Sequence, residues 1–261
     1  MLVENSLIDT ADDGVCIKGA IADGVVFNVT VRNTTIRSRS SAIKFGSNCG
    51  IPMTELLFED ITIVDSNRGL AIQARDGPCK GGFCIQNVTF RRVLVNGTRF
   101  WPLKWWGDGS PIYISTMLRT SNDGGSGVRN ITFQDIAAFS QGAAVLSGRA
   151  PGGNVSGVTL RNVSITIDRR SNWNYSLEQG VFPNVEYDPS SVPLAGPPHN
   201  TRVPLTGWMP GLFVERVEGL VLDDLHVMFS AAKQPYWGTV CVNISAAEFP
   251  VTVLGGSCGG T

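Results

Sequence analysis

The chain has 261 residues, a formal net charge of −1 and only 16% charged residues, with thirty glycines and fourteen prolines. This length supports a substantial core, and the near-zero charge gives no attraction to nucleic acid or an anionic membrane. Many turns and few surface helices are expected: no long stretch keeps apolar residues at i, i+3, i+4 and i+7, and no apolar run approaches the ~18 residues that cross a bilayer.

The first ten residues, "MLVENSLIDT", have no basic region, apolar stretch or cleavage site of a signal peptide. They read as the middle of a strand, so the chain is expected to start partway through a larger protein. In "IDTADDGVCIKG", two adjacent aspartates, Asp12 and Asp13, precede a short alternating run that ends in Lys18. Alone, such a pair reads as turn carboxylates at a strand start. Its other reading, an acid–base pair, depends on what surrounds it.

One phrase then recurs: "FNVTVRNTTI", "TELLFEDITI", "QNVTFRRVLV", "RNITFQDIAA", "SGVTLRNVSI" and "EGLVLDDLHV". Each alternates apolar and polar residues, makes a short polar turn and alternates again. Aligned on Val29, Leu56, Val88, Ile131, Val158 and Leu220, the phrases are spaced by 27, 32, 43, 27 and 62 residues. The shortest spacing matches one coil of a β-solenoid, the longer ones are coils with loops, and the last has room for a hidden coil. One coil has too little apolar surface to fold alone, whereas stacked coils bury a continuous core. A sandwich or barrel would not repeat one phrase six times. The expected fold is therefore all-β, a single-stranded right-handed parallel β-helix forming one domain over 1–261.

A second family of strands lies between these phrases: "ADDGVCIKG", "RSSAIKFGS", "NRGLAIQAR" and "GSPIYISTM". They superpose with Val15, Ile43, Leu70 and Ile112 pointing inward. In a parallel stack, equivalent residues lie about 4.8 Å apart. One column is then Asp13, Ser41 and Arg68; a second is Cys16, Lys44, Ala71 and Tyr113; a third is Lys18, Gly46, Gln73 and Ser115.

The 43-residue spacing contains "FWPLKWWGDGSPIYIS", where Trp105 or Trp106 could offer a stacking face to a sugar ring or anchor its own loop. Residues from about 168 to 209 are rich in proline and asparagine and read as a surface excursion. His199 falls there as a solvated residue, and His226 reads as a strand residue. Of six cysteines, Cys79 and Cys84 flank a glycine-rich turn, and Cys241 lies near Cys258. An extracellular chain would make these two disulfides; no CxxC occurs and neither histidine is near a cysteine, so metal is not expected. Asn-x-Ser/Thr occurs nine times, including at Asn28, Asn33, Asn87, Asn96 and Asn130. Several of these lie inside the repeated phrase, which puts Asn in a bend and Thr on an outward strand position without requiring glycosylation.

"TADDGVCIKG", followed by "SSAIKFGS" and "NRGLAIQARDG", resembles the Asp-Asp segment and next two active-site coils of glycoside hydrolase family 28, the polygalacturonase and rhamnogalacturonase family. The resemblance covers roughly residues 5–165, with a weaker echo in "MPGLFVERVEGLVLDDLHV". It implies a secreted, monomeric, cofactor-free enzyme that hydrolyses a polysaccharide with inversion. Asp12 would be the general acid and Asp13 would help activate water. The family's third aspartate would belong to a coil before Met1. Ser40-Ser41-Ala42 stands in place of the family's Gly-His-Gly, and Ala71-Ile72-Gln73 in place of its carboxylate-binding Arg-x-Lys. The implied substrate class therefore widens from polygalacturonan to pectin-like and related polysaccharides, including those with a neutral sugar. Candidate substrate contacts are Lys18, Ser41, Lys44, Arg68, Gln73, Arg75, Trp105 and Trp106. The alternative is a catalytically degenerate carbohydrate-binding relative. A calcium-dependent lyase would need an acidic cluster beyond Asp12 and Asp13.

Overall fold

A computed structural model describes residues 1–19, 23–75, 79, 82–99, 109–116, 126–148, 154–170, 209–232, 234, 237–243 and 248–258, with Arg75 described for its backbone only. Among these residues there are strands and turns but no helix. The chain is all-β and builds two long parallel sheets.

The first sheet orders β1 (Leu2–Thr10), β3 (Val26–Ser38), β5 (Met53–Ser66), β7 (Phe83–Thr98), β9 (Gly127–Ser140), β11 (Val155–Ile167), β14 (Leu220–Phe229) and β16 (Val251–Val253). Two short strands join it, β13 (Val217–Glu218) on β11 and β17 (Gly256–Cys258) on β14. The second sheet orders β15 (Cys241–Asn243), β12 (Leu212–Glu215), β10 (Ala144–Ser147), β8 (Ile112–Ser115), β6 (Arg68–Arg75), β4 (Ser41–Cys49) and β2 (Val15–Gly19). From β1 to β12 the chain alternates between the two sheets, so each passage lies beside the one two strands earlier.

The register follows the repeated phrase. Val29 pairs with Leu56, Leu56 with Val88, Val88 with Ile131 and Ile131 with Val158. The next pair, Thr159 with Val221, continues the same alignment by one residue. β11 pairs directly with β14, and among the described residues the 62-residue spacing adds to this sheet only the two-residue β13 on β11. The expected excursion at about 168–209 lies almost wholly outside the described residues.

Each long strand bends at a residue in the left-handed region. Asn5, Asn33, Asp60, Arg92, Asp135, Asn162 and Asp224 form one column with φ of 44–59°. Asn28, Glu55, Asn87, Asn130, Gly157 and Gly219 form another with φ of 53–62°. Asn and Asp tolerate this region better than other non-glycine residues. The bend also shifts the inside–outside phase by one residue. Val29 and Val31 are buried before the bend at Asn33, and Thr34 and Ile36 after it, so both halves of the strand face the same interior. Sequon asparagines 28, 33, 87 and 130 occupy these bends, and Asn130 Nδ2 donates to Asn87 Oδ1 at 3.0 Å.

The interior is stacked in layers. Ring centroids of Phe58 and Phe90 lie 5.1 Å apart and those of Phe90 and Phe133 5.0 Å apart, close to the strand spacing. Phe45, from the second sheet, meets Phe58 edge-on at 5.5 Å and ties the sheets together. Disulfides join Cys79 to Cys84 and Cys241 to Cys258.

Candidate functional site

The Asp12–Asp13 segment is the link from β1 in one sheet to β2 in the other, and the next link nests against it. Thr10 Oγ1 accepts the Asp12 N–H at 3.2 Å, and Ser38 Oγ donates to the Asp12 carbonyl at 2.7 Å. The Gly14 N–H donates to the Ser41 carbonyl at 2.9 Å. A Cβ at Gly14 would lie 2.6 Å from both the Ala42 carbonyl oxygen and Ile36 Cγ2, so only glycine lets the two links approach this closely.

The two carboxylates have unlike surroundings. Asp13 Oδ1 accepts from Ser40 Oγ at 2.7 Å and from the Ser41 N–H at 3.3 Å. Its other oxygen lies 3.1 Å from Lys44 Nζ, and the Asp13 and Lys44 side chains are 11% and 10% exposed. Asp12 is exposed, and its Oδ1 accepts the Asp13 N–H at 2.8 Å. Beside the pair, the Cys16 thiol is pushed up from its ordinary pKa by burial first and by the Asp13 charge second, while Lys18 and Lys44 oppose the shift.

The expected columns form in part. Ser41 pairs with Arg68, and Cys16, Lys44, Ala71 and Tyr113 follow one another across four strands. Gly46, Gln73 and Ser115 likewise align. Lys18 does not join them. Ile17 pairs with Phe45 and Gly19 with Cys49, so one residue of β2 spans three of β4 and the ladder slips at Lys18, which is exposed. A bulge of this kind takes a side chain out of the simple period-two register.

Lys44 and Arg68 are placed differently from cations on an open sheet face. Lys44 does project beside Ala71, but its ammonium is held by Asp13 instead of standing clear for a substrate carboxylate. Arg68 is not on an open sheet surface: it is completely buried, with its guanidinium 4.0 Å from the centroid of the Tyr113 ring. Arg75 is placed only by its backbone pairing with Asn48. Ser41 is buried, its N–H on Asp13 and its Oγ without a hydrogen-bond partner. Trp105, Trp106 and His199 lie outside the described residues, and His226 is a strand residue of β14 as expected.

Residues not singled out in the sequence also matter here. Ser40 supplies the shortest hydrogen bond to Asp13. Farther along the second sheet, Glu215 is buried and accepts from Ser147 Oγ at 3.0 Å. Glu215 lies in "GLFVERVEG", whose alternating apolar positions repeat the second strand family, so alignment by those positions could have found it. Among the described residues, no three His, Cys, Asp or Glu side chains group as metal ligands. Such an arrangement offers two neighbouring carboxylates, one exposed and one held by three donors. No family model, curated protein or solved structure matches the chain.

Proposed function

We propose that this chain is a right-handed parallel β-helix glycosidase of the polygalacturonase and rhamnogalacturonase type, family 28-like. Its substrate would be a pectin-like or related cell-wall polysaccharide, hydrolysed with inversion by a secreted, monomeric protein. The alternation of the chain between two parallel sheets supports the fold reading. The two disulfides support an oxidising compartment.

The observation that carries the enzymatic reading is the contrast between Asp12 and Asp13. Two adjacent carboxylates in unlike environments can divide the acid and base roles. Asp12 is exposed and can approach a glycosidic oxygen as the general acid. Asp13 is surrounded by the Ser40 hydroxyl, the Ser41 amide and the Lys44 ammonium, which hold its carboxylate in place beside Asp12. Inverting hydrolysis needs about 6.5–9.5 Å between acid and base to admit that water.

The same contacts favour a second reading, a carbohydrate-binding relative that has lost turnover. Both Asp13 oxygens already face protein donors and the side chain is only 11% exposed, which narrows the approach of water. Reducing-end release from pectic and related polysaccharides separates the readings. Hydrolysis without unsaturated products, loss of turnover in Asp12→Asn and an inverted anomer by NMR are expected. Wild-type turnover in Asp12→Asn removes the acid assignment, and binding without cleavage selects the second reading.

A further inference from the structure

Asp224 and His226 flank the buried Leu225 on β14, and β17 runs parallel beside them with Ser257 in register with His226. Alternate residues of a strand share a face, so the three side chains gather on the outer side of the first sheet. His226 Nε2 lies 2.9 Å from Asp224 Oδ1, and its Nδ1 lies 3.0 Å from Ser257 Oγ. A carboxylate only accepts, so in the neutral ring Nε2 carries the proton and Nδ1 accepts from the Ser257 hydroxyl. Each contact falls within the ~2.6–3.2 Å at which a base can take a proton and be oriented by a third group.

The local chain brings Ser257 to this place. It lies in Gly255-Gly256-Ser257-Cys258-Gly259, a G-x-S-x-G pattern that in many hydrolases carries a nucleophilic serine; here an edge strand carries it. Gly255 and Gly256 have φ of 149° and 100°, and a Cβ at Gly256 would lie 2.0 Å from the Leu225 carbonyl oxygen. Only glycine therefore lets β17 close against β14. The Cys241–Cys258 disulfide ties the residue after Ser257 to β15 of the second sheet. Among the described residues β17 has no strand on its far side, so its outward amides are the donors offered to a developing oxyanion. Asp224 and Ser257 are exposed and the His226 side chain is 45% exposed, so a substrate reaches the hydroxyl without entering a cavity.

We propose that Ser257, with His226 as its base and Asp224 positioning the ring, hydrolyses esters of short-chain carboxylic acids. Ser257 Oγ attacks the ester carbonyl carbon while its proton passes to His226 Nδ1. The tetrahedral oxyanion collapses, the bond to the alkoxy group breaks, and the Nδ1 proton leaves with that group as an alcohol. Water then attacks the acyl-serine by the same route, releasing the carboxylic acid and restoring the hydroxyl. An open sheet face gives a long acyl chain little to lie against, which favours a short one. This site is at the last strands of the first sheet and Asp12–Asp13 is at its first, so the proposal does not depend on the glycosidase reading.

The 261-residue chain treated with diisopropyl fluorophosphate, and separately with p-nitrophenyl acetate, tests it by peptide mass spectrometry. Ser164 is the internal control: it is exposed and also pairs with His226, but both ring nitrogens are taken by Asp224 and Ser257. Ser257 should be labelled well ahead of Ser164, and His226→Gln should slow its labelling about 100-fold. Ser257→Ala should end p-nitrophenyl acetate turnover. Asp224→Asn should lower the rate and move the ring proton off Nε2, as read by nitrogen-15 NMR. The proposal is overturned if Ser257 in the parent protein reacts no faster than Ser164, which needs no variant to fold. Turnover that survives Ser257→Ala, or labelling unchanged in His226→Gln, also overturns it. A lower rate in Asp224→Asn with the proton still on Nε2 removes the positioning role.

Discussion

The Lys44 ammonium lies 3.1 Å from Asp13 Oδ2, and neither side chain is more than 11% exposed. Removing one member of such a pair leaves the other charge buried without its partner, which costs about 3–5 kcal/mol. Lys44→Met should therefore lower the urea unfolding free energy by about that amount, with Lys44→Arg retaining more of it. Pairing Lys44→Met with Asp13→Asn should recover part of the loss, because the uncompensated charge is gone. Additive effects in that double-mutant cycle would mean that the two side chains do not interact.

Much of the fold was legible in the sequence because two periodicities agree there. The apolar positions at Val29, Leu56, Val88, Ile131 and Val158 fixed the register, and the polar turn of each phrase marks the bend. The same alignment paired Ser41 with Arg68 and Lys44 with Ala71. It failed at Lys18, where β4 carries extra residues that no hydrophobic pattern reports. Alignment also gives side-chain columns but not diagonal contacts. Asp13 and Lys44 were placed in columns three residue positions apart, and their ion pair depends on the reach of a long side chain between them. Arg68 was misjudged for a related reason: a long cation on a sheet is ordinarily solvated, and here it is completely buried with Tyr113 against it.

Phe90 has stacked rings on both sides, with Phe58 at 5.1 Å and Phe133 at 5.0 Å, and the Phe45 ring meets it edge-on at 6.1 Å. Phe90→Ala removes the middle layer of this stack and opens a cavity that parallel strands on both sides cannot close by local adjustment. A loss of about 3–5 kcal/mol is expected, measured by urea or thermal unfolding. Phe90→Leu should cost less, since it keeps most of the volume. Equal losses for the two substitutions would argue against a cavity as the cause.

Cys16 and Cys49 remain outside the two disulfides, and they should differ in reactivity. Burial and the Asp13 charge push the Cys16 thiol up, so less of the reactive thiolate is present near neutrality than in free cysteine. Iodoacetamide should label Cys16 slowly at pH 8 and faster above the ordinary thiol pKa. Cys49, completely buried, should label only on unfolding. Asp13→Asn should speed labelling of Cys16 by removing a nearby negative charge, and Lys44→Met should slow it by removing an opposing cation. Mass spectrometry of the labelled peptides checks both; a reversal of the two effects would show that burial changes outweigh the charges.

Glu59 gives the chain an acid-sensitive contribution to stability. Its carboxylate accepts from Arg91 Nε at 2.8 Å and Arg92 Nη2 at 2.7 Å, and the Arg91 hydrogen bond is the largest influence holding it below the usual carboxylate range. The folded chain thus binds this proton less readily than the unfolded chain does. The resulting stabilisation is present above the unfolded glutamate pKa of about 4.3 and disappears as pH falls through the lower native value. Glu59→Gln should be less stable than the parent at pH 7, and the two stability curves should converge as pH drops below about 4. Urea midpoints measured from pH 7 to pH 2 test this. A difference that stayed constant over that range would assign the loss to packing around Glu59 and not to its charge.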